Sequence, residues 1–310
     1  MSNSYNIRNF QSSDKASLID LLKDIERLSK ERYISLQALF ENMIVRKDYR
    51  PEEALFIVEN AKKVIGYINT IPELAINRAV FSCLVHPDYR RKGLGTMLVG
   101  FALNYASKIE AKVVHTNIYE DNKIGKEFLT NLGFKFIHSF SVLRLNLTRT
   151  NLQNKVKEFE IRRLKEGEER KLTDLQNRSF DGTWGYNPNT IEDLSRLLDF
   201  PELSHKNVIV ACDDNKLIGY CWMRTSLPDK RKGYSKDLIP NIHMLGVEPD
   251  YRSQGVGEIL LIEGLKDLKN RGFDLVELIV DDKNDQALKL YRSQSFEPWK
   301  KSLWYEKAID

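Results

Sequence analysis

The stretch from Gly246 to Gly257 reads GVEPDYRSQGVG, and an earlier stretch, from Leu84 to Gly95, reads LVHPDYRRKGLG. Each follows an apolar run typical of a strand and precedes a run with helical spacing, so each predicts a tight strand-to-helix corner. Glycine has no Cβ, so the main chain there can turn sharply and approach a ligand closely. Main-chain N–H groups at a helix start attract anions, and Arg90 and Arg252 can add a full positive charge. The two stretches therefore predict two sites that grip a diphosphate.

The residue order at these corners excludes two common phosphate loops. No Gly-Lys-Ser or Gly-Lys-Thr follows, which rules out a Walker loop, and the glycine spacing differs from that of the dinucleotide fingerprint. The residues predicted to hold the diphosphate form two matching sets, Arg252, Gln254, Gly255, Val256 and Gly257 in the second half and Arg90, Lys92, Gly93, Leu94 and Gly95 in the first.

The two corners belong to a longer internal repeat. One offset of 162 residues relates four pairs, Val85 and Val247, Gly93 and Gly255, Asn122 and Asn284, and Phe134 and Phe296. A chain of 310 residues is also about twice the usual ~150 residues of one domain. We therefore predict a first domain at residues 1–150 and a second at residues 151–310, joined by a polar segment.

The composition describes a globular chain without a strong charge bias. Hydrophobic residues make up 42% and charged residues 30%, and the formal net charge is +4. Acidic and basic residues are interspersed, and no basic stripe with interleaved aromatic residues is present, so we expect no nucleic-acid partner. No apolar run approaches the ~18 residues of a membrane span, so we expect no membrane association.

The cysteines and histidines point to neither a disulfide framework nor a metal site. Cys83, Cys212 and Cys221 form no Cys-x-x-Cys pair, and the five histidines are scattered. The N-terminal residues lack the pattern of a signal peptide. These features predict a metal-free protein in a reducing cytoplasm.

The hydrophobic periodicity of the second half alternates between strand and helix patterns. Strands are predicted at 159–163, 207–212, 216–225, 242–247, 275–280 and 296–305, and helices at 167–179, 190–198, 257–269 and 285–293. The first half follows the same order. This order predicts an α/β fold (a mixed α+β sheet) with helices on its faces, present twice.

Both corners resemble the acyl-CoA loop of the GNAT acetyltransferase superfamily, in which Arg or Gln, two residues, Gly, one residue and Gly or Ala follow each other. The resemblance covers the whole chain, once per half, and implies two tandem GNAT-like domains that bind acetyl-CoA. It implies that the pantetheine arm lies between two splayed parallel strands, residues 242–247 and 275–280. The positions that it adds to the cofactor site are Leu245, Val247 and Asn284, with Val85 and Asn122 in the first half.

The block after Asn284 also resembles that family, and the resemblance gives Tyr291 the role of general acid, which protonates the departing thiolate. The alternative is a tyrosine that only packs in the core. Leu129 takes the same place in the first half, and a leucine cannot donate a proton. We therefore expect the second domain to be catalytic and the first to be degenerate, unless Tyr105 or Tyr119 replaces the acid.

The general base is less clearly marked than the acid. His243 shares a strand face with Asn241, and an ordinary histidine titrates near pH 6.5, which suits a base. A strand histidine without a role is the alternative, and Glu277 and Asp281 are further candidates. A main-chain N–H within Leu245–Val247 is predicted to polarise the thioester oxygen.

The second half is most similar to the mycothiol synthases, tandem enzymes of the superfamily whose C-terminal domain is active. The similarity lies in Leu245–Pro249, Leu278–Asn284 and Asn177–Phe180. Trp184 and Tyr186 follow and are predicted to line the acceptor pocket, although aromatic loop residues also pack on their own domain.

Two departures from that family lie where the acceptor should bind. Asn241 stands where the family has a glutamate base, and the segment 182–187 differs. We therefore predict N-acetylation of a small-molecule amine without naming the acceptor. The alternatives are acetylation of protein N-termini or lysines and a non-catalytic acyl-CoA sensor or scaffold. The chain can be a monomer or a homodimer.

Overall fold

The computed structural model describes residues 5–29, 49–152, 159–225 and 239–309. The chain forms two compact units, Met1–His138 with Leu303–Asp310 as the first and Ser139–Ser302 as the second. Each unit is built on a mixed β-sheet, so the predicted fold class, a mixed α/β sheet present twice, is confirmed.

Within residues 5–29 and 49–138, the structure describes five complete strands and four helices of the first unit. The strands are β1 (Tyr5–Asn9), β2 (Leu55–Asn60), β3 (Lys63–Glu73), β4 (Arg78–Val85) and β5 (Val113–Tyr119), and the helices are α1 (Lys15–Ser29), α2 (Pro51–Ala54), α3 (Leu94–Lys108) and α4 (Lys123–Asn131). Strands β1 to β4 pair antiparallel in chain order, and β5 runs parallel to β4.

The second unit repeats this plan. It contains the strands β7 (Glu160–Arg163), β8 (Val208–Asp213), β9 (Lys216–Arg224), β10 (Asn241–Val247) and β11 (Leu275–Asp281), and the helices α5 (Glu169–Phe180), α6 (Ile191–Leu198), α7 (Val256–Asn270) and α8 (Asp285–Ser293). Strands β7 to β10 are antiparallel, whereas β11 is parallel to β10.

Two long strands are shared between the units. Strand β6 (Lys135–Asn146) begins in the first unit, but its residues 140–146 pair with β11 in the second. Strand β12 (Glu297–Ala308) begins in the second unit, and its end, from Leu303, lies beside β5 in the first. The predicted domains, residues 1–150 and 151–310, follow the sequence repeat, whereas the compact units exchange their last strands. The reason is that a strand belongs to the sheet in which its main chain finds partners.

The core of the second unit lies on both faces of its sheet. Helix α7 covers one face because its apolar residues recur at helical spacing, and Leu260, Leu265 and Leu268 are fully buried. Burying one such side chain stabilises the fold by about 1.5–3 kcal/mol. Helices α5 and α6 cover part of the other face, against Tyr220 and Trp222. Helices therefore lie on both faces of this sheet.

Candidate active site

The corner between β10 and α7 has the backbone conformation that the glycine pattern predicts. Gly255 is the N-cap of α7 with φ of 82°, and Ser253 also has a positive φ, of 61°. A Cβ on Gly255 would meet no heavy atom within 4 Å, so the space above the corner is open. In the first unit, Gly93 has φ of 77° and the same open space. Both corners can therefore admit a ligand at the first turn of a helix, where main-chain N–H groups lack helical partners.

The arginine of each corner is oriented by the main chain. The guanidinium of Arg252 donates to the carbonyl of Ser179 at 2.8 Å and to that of Val247 at 3.4 Å. Arg90 donates to the carbonyl of Val85 at 3.1 Å. These contacts keep a positive charge beside the corner, where the repeat predicted one.

An ion pair with a buried carboxylate supports the same corner. Glu248 is 5% exposed and accepts three hydrogen bonds from the guanidinium of Arg178 at 2.8 to 3.1 Å. The Arg178 guanidinium holds the pKa of the Glu248 carboxyl below its ordinary value. The end of β10 is thereby tied to α5.

The two parallel strands of the second unit separate soon after they meet. Their ladder consists of two pairs, Asn241 with Glu277 and Ile242 with Leu278. Beyond these pairs, β10 and β11 share no further rung in the described chain. In the first unit, β4 and β5 share three pairs, the last of which is Val80 with His115. Each unit therefore has a gap between parallel strands that leads toward its corner.

A β-bulge distinguishes the gap of the second unit. The register of β10 against β9 shifts between Ile242 and Met244, so His243 is the extra residue. Strand β4 pairs with β3 from Arg78 to Val85 without a shift. A bulge leaves its extra residue outside the regular ladder and is often found beside an active site. The irregularity lies two residues before Leu245, where the predicted main-chain donor begins, while Leu245 and Val247 keep regular partners on β9.

Tyr291 lies on α8 and is 7% exposed, with its ring edge-on to Phe296 at 5.8 Å. Burial, and to a lesser extent Cys221, raises the pKa of its hydroxyl. The hydroxyl therefore stays protonated at neutral pH, which a general acid requires. At the matching place on α4, Leu129 is 3% exposed and part of the core.

The two predicted asparagines begin the following helices. The side-chain oxygen of Asn284 accepts from the N–H of Ala287 at 3.0 Å, and that of Asn122 accepts from the N–H of Gly125 at 2.8 Å. Each asparagine is thus an N-cap. Asn284 positions the helix that carries Tyr291.

His243 lies edge-on to Trp222, with ring centroids 5.4 Å apart. Burial, together with the charge of Arg224, lowers the pKa of the His243 imidazole to about 3. A neutral imidazole with so low a pKa is a weak proton acceptor near pH 7. Its role as a base stays a prediction, and this environment does not favour it.

A row of polar side chains crosses the sheet where the strands begin to separate. Arg224 on β9 is the register partner of Asn241 on β10, which pairs with Glu277 on β11, which pairs with Arg144 on β6. Arg144 donates to Glu277 at 2.5 Å, and its guanidinium carbon lies 3.7 Å from the ring centroid of Trp299. Sequence reasoning found Glu277 but missed Arg144, because only the pairing of β6 with β11 brings them together.

The two predicted pocket aromatics are both half-buried, but they lie against different neighbours. The ring of Tyr186 stacks on Phe180 at 5.4 Å, and its hydroxyl donates to Asn177 at 2.8 Å. Trp184 lies 5.9 Å from Phe140, the register partner of Asp281. Trp184 is therefore near the end of β11, whereas Tyr186 is held by α5.

Among the described residues, no three His, Cys, Asp or Glu side chains are grouped so as to hold a metal ion. The helices in those same ranges also lack the length and apolar character that a membrane crossing needs.

The sequence profile of the acetyltransferase (GNAT) family matches this chain twice, at residues 17–134 and 170–296. The two matches together cover most of the chain and fall one in each half. The predicted resemblance to a tandem GNAT protein is therefore confirmed.

Curated relatives include mycothiol acetyltransferases. The protein from Thermobifida fusca is 27% identical over 237 residues, which cover 71% of this chain and 72% of that protein. The protein from Stackebrandtia nassauensis is 24% identical over 316 residues, 97% of this chain and 98% of its own length. The similarity to such proteins thus extends over both halves.

Solved structures share the fold over the full chain. A GCN5-related N-acetyltransferase from Sphaerobacter thermophilus has a TM-score of 0.75 at 17% identity and covers 98% of this chain and 96% of its own. A tandem GNAT protein from the clavulanic acid biosynthesis pathway has a TM-score of 0.74 at 15% identity, with 99% of both chains covered. At this identity the likeness concerns the fold.

Proposed function

The chain belongs to the acetyltransferase (GNAT) family, and from this premise we propose that its second unit transfers an acetyl group from acetyl-CoA to the primary amine of a small molecule. The acyltransferase activity and the use of acetyl-CoA follow from the family. The observation that carries the choice of unit is the contrast between Tyr291 and Leu129 at matching places on α8 and α4.

The corner of the second unit fits the diphosphate of acetyl-CoA, which is a substrate consumed in each turnover. Gly255 leaves open space where a side chain would stand, and Arg252 keeps its charge beside it. In this proposal the main-chain amides from Gln254 to Gly257 hold the diphosphate. Leu245 and Val247 border the gap in which the pantetheine arm lies.

The chemistry assigned to Tyr291 is the protonation of the leaving thiolate. Its buried hydroxyl keeps its proton at neutral pH and lies on the helix that Asn284 begins. The bulge at His243 leaves β10 main-chain groups outside the regular ladder, and such a group is suited to bind the thioester oxygen. The first unit has neither the hydroxyl nor the bulge, so we assign it no catalytic step.

A small-molecule acceptor is supported by the mycothiol acetyltransferases to which both halves are similar. Trp184 and Tyr186 lie on the same loop and are proposed to border the acceptor. Two alternative functions remain. Acetylation of protein N-termini or lysines would use the same chemistry, whereas a scaffold that only binds acyl-CoA would catalyse no reaction.

One assay separates these functions. Release of the CoA thiol from acetyl-CoA is followed with an amino sugar, an amino acid, an aliphatic diamine, and peptides that offer a free N-terminus or a lysine. We expect the fastest release with one of the free amines. Faster release with a peptide would favour a protein acetyltransferase. Tight binding of acetyl-CoA without release, whatever the amine, would indicate a scaffold.

A further inference from the structure

We propose that Glu277 accepts the proton of the acceptor amine and that Arg144 is the residue that positions it. This inference rests on the function proposed above and adds to it the group that makes the amine nucleophilic. It is drawn from the place of Glu277 in the sheet and from the contacts that hold its carboxylate.

Glu277 lies on the first of the two rungs that join β10 and β11 before the strands separate. If the pantetheine arm enters the gap from the corner at Gly255, its thioester end lies next to these two rungs. The flanking residues Val276 and Leu278 are 0% and 1% exposed and belong to the core that α7 covers. Because side chains alternate along a strand, Glu277 faces the opposite side of the sheet. Its side chain is 25% exposed there, so an amine can reach it.

Arg144 determines which oxygen of Glu277 is available. Its Nε donates to Oε1 of Glu277 at 2.5 Å, while its guanidinium carbon lies over the Trp299 ring at 3.7 Å from the centroid. An arginine held by a ring and a carboxylate together has little freedom to turn away. Within the described residues, no other side chain hydrogen-bonds the Glu277 carboxylate, so Oε2 is left to face an incoming ammonium group.

The surroundings of Glu277 carry charges of both signs. On this side of the sheet, the charged or titratable groups of the described neighbouring strands include Arg144, Arg224, His243 and Asp281. Arg144 is the one in direct contact with the carboxylate. The carboxylate therefore has a cation bound to one oxygen and can accept a proton on the other.

Glu277 and Tyr291 together complete the proton balance of the step. Glu277 takes one proton from the ammonium group, and the freed electron pair of the nitrogen forms a bond to the acetyl carbonyl carbon. The carbon–sulfur bond then breaks, and the thiolate takes the hydroxyl proton of Tyr291. The second proton that leaves the nitrogen replaces the one lost by Tyr291. One proton, from Glu277, is released to solvent.

The test is the pH dependence of turnover in Glu277→Gln, with the free amine that the wild-type chain acetylates fastest. We expect a loss of at least 100-fold at pH 7, the usual size of a general-base effect. We expect the loss to shrink as pH rises toward the pKa of the amine, since the amine then arrives without its extra proton. Affinity for acetyl-CoA, measured by calorimetry, should equal that of the wild type and shows that the variant is folded.

Two further variants complete the design. Arg144→Gln removes the cation beside Glu277, so the acidic limb of the pH profile should move to higher pH. Glu306→Gln is the matched control. In the first unit, Glu306 contacts His115 at 2.8 Å, and this pair occupies the place that Arg144 and Glu277 occupy in the second unit. The control variant should leave turnover unchanged. Turnover by Glu277→Gln within threefold of the wild type at pH 7, or a loss that is equal at every pH, overturns the inference. A wild-type chain that acetylates no amine overturns the proposed function instead.

Discussion

Thr116 donates its hydroxyl hydrogen to the main-chain carbonyl of Phe81 at 2.9 Å and thereby ties β5 to β4 just beyond their last rung. Both residues are buried, at 5% and 3% exposure. At the matching place in the second unit stands Leu278, which has no hydroxyl. The gap between the parallel strands is therefore bridged at its inner end in the first unit, the unit in which Leu129 stands at the place of Tyr291.

Thr116→Val should test the meaning of this bridge. The variant keeps the shape of the side chain but leaves the Phe81 carbonyl without that donor, so we expect a loss of about 1–3 kcal/mol in the free energy of unfolding. Turnover should stay as in the wild type, because the first unit takes no catalytic step in our proposal. Chemical denaturation and the thiol-release assay measure the two effects. A large loss of turnover without a loss of folded protein would assign the first unit a part in catalysis.

Tyr291→Phe should separate proton donation from binding. The substitution removes one hydroxyl and keeps the ring packed against Phe296, so acetyl-CoA affinity should be unchanged. Turnover should fall at least ten-fold, in line with the size of general-acid effects. Single-turnover kinetics and calorimetry on the same preparation give both values. Full activity in this variant would remove Tyr291 from the mechanism.

Gly255→Asp should abolish acetyl-CoA binding to the second unit. A side chain there would fill the open space above the corner, strain a residue with φ of 82°, and place a negative charge where we propose that the diphosphate binds. Native mass spectrometry counts the CoA molecules per chain, and the assay measures turnover.

Gly93→Asp is the matched variant for this experiment, because Gly93 has nearly the same φ and the same open space. It carries a similar backbone strain in the other unit. We expect it to retain turnover, so a similar loss in both variants would point to general destabilisation instead of a blocked diphosphate site.

His243→Gln should change how stability depends on pH. An unfolded histidine has a pKa of about 6.5, whereas burial lowers that of His243 to about 3. Between these values the unfolded chain binds a proton that the folded chain does not, so stability falls as pH falls from 6.5 toward 3. The variant has no imidazole to protonate. Between pH 7 and pH 5, its free energy of unfolding should therefore fall by about 2 kcal/mol less than that of the wild type. Denaturation curves at both pH values decide it, and equal losses would show that His243 titrates normally.

Short-range patterns predicted the elements of the fold well. Helix α7, predicted at residues 257–269, spans Val256–Asn270, and helix α8, predicted at residues 285–293, spans Asp285–Ser293. Such elements follow from apolar spacing and from the residues that begin and end a helix. The corners could be predicted for the same reason, because their two glycines and their arginine lie close together in the sequence.

Long-range pairing could not be predicted from these patterns. Because β6 and β12 are exchanged between the units, the boundaries of the compact units fall at residues 138 and 303, whereas the domain boundary was predicted near residue 150. Nothing local in either strand marks its partner, because any strand with the right alternation can join several sheets. The contact between Arg144 and Glu277 depends on this exchange and was therefore not predicted.

The sequence by itself determined that this protein contains one fold twice, that each copy has a glycine corner at a helix start, and that Tyr291 is replaced by Leu129 in the first copy. These are properties of single residues and short stretches, and they can be recognised without knowing which residues pack against them in the fold. Only the tertiary structure decided where the parallel strands separate, that β10 has its bulge at His243 while β4 has none, and that Glu277 receives Arg144 as its partner. Those features arise from hydrogen-bond register between strands distant in the chain, and a shift of one residue would move every side chain to the other face of the sheet.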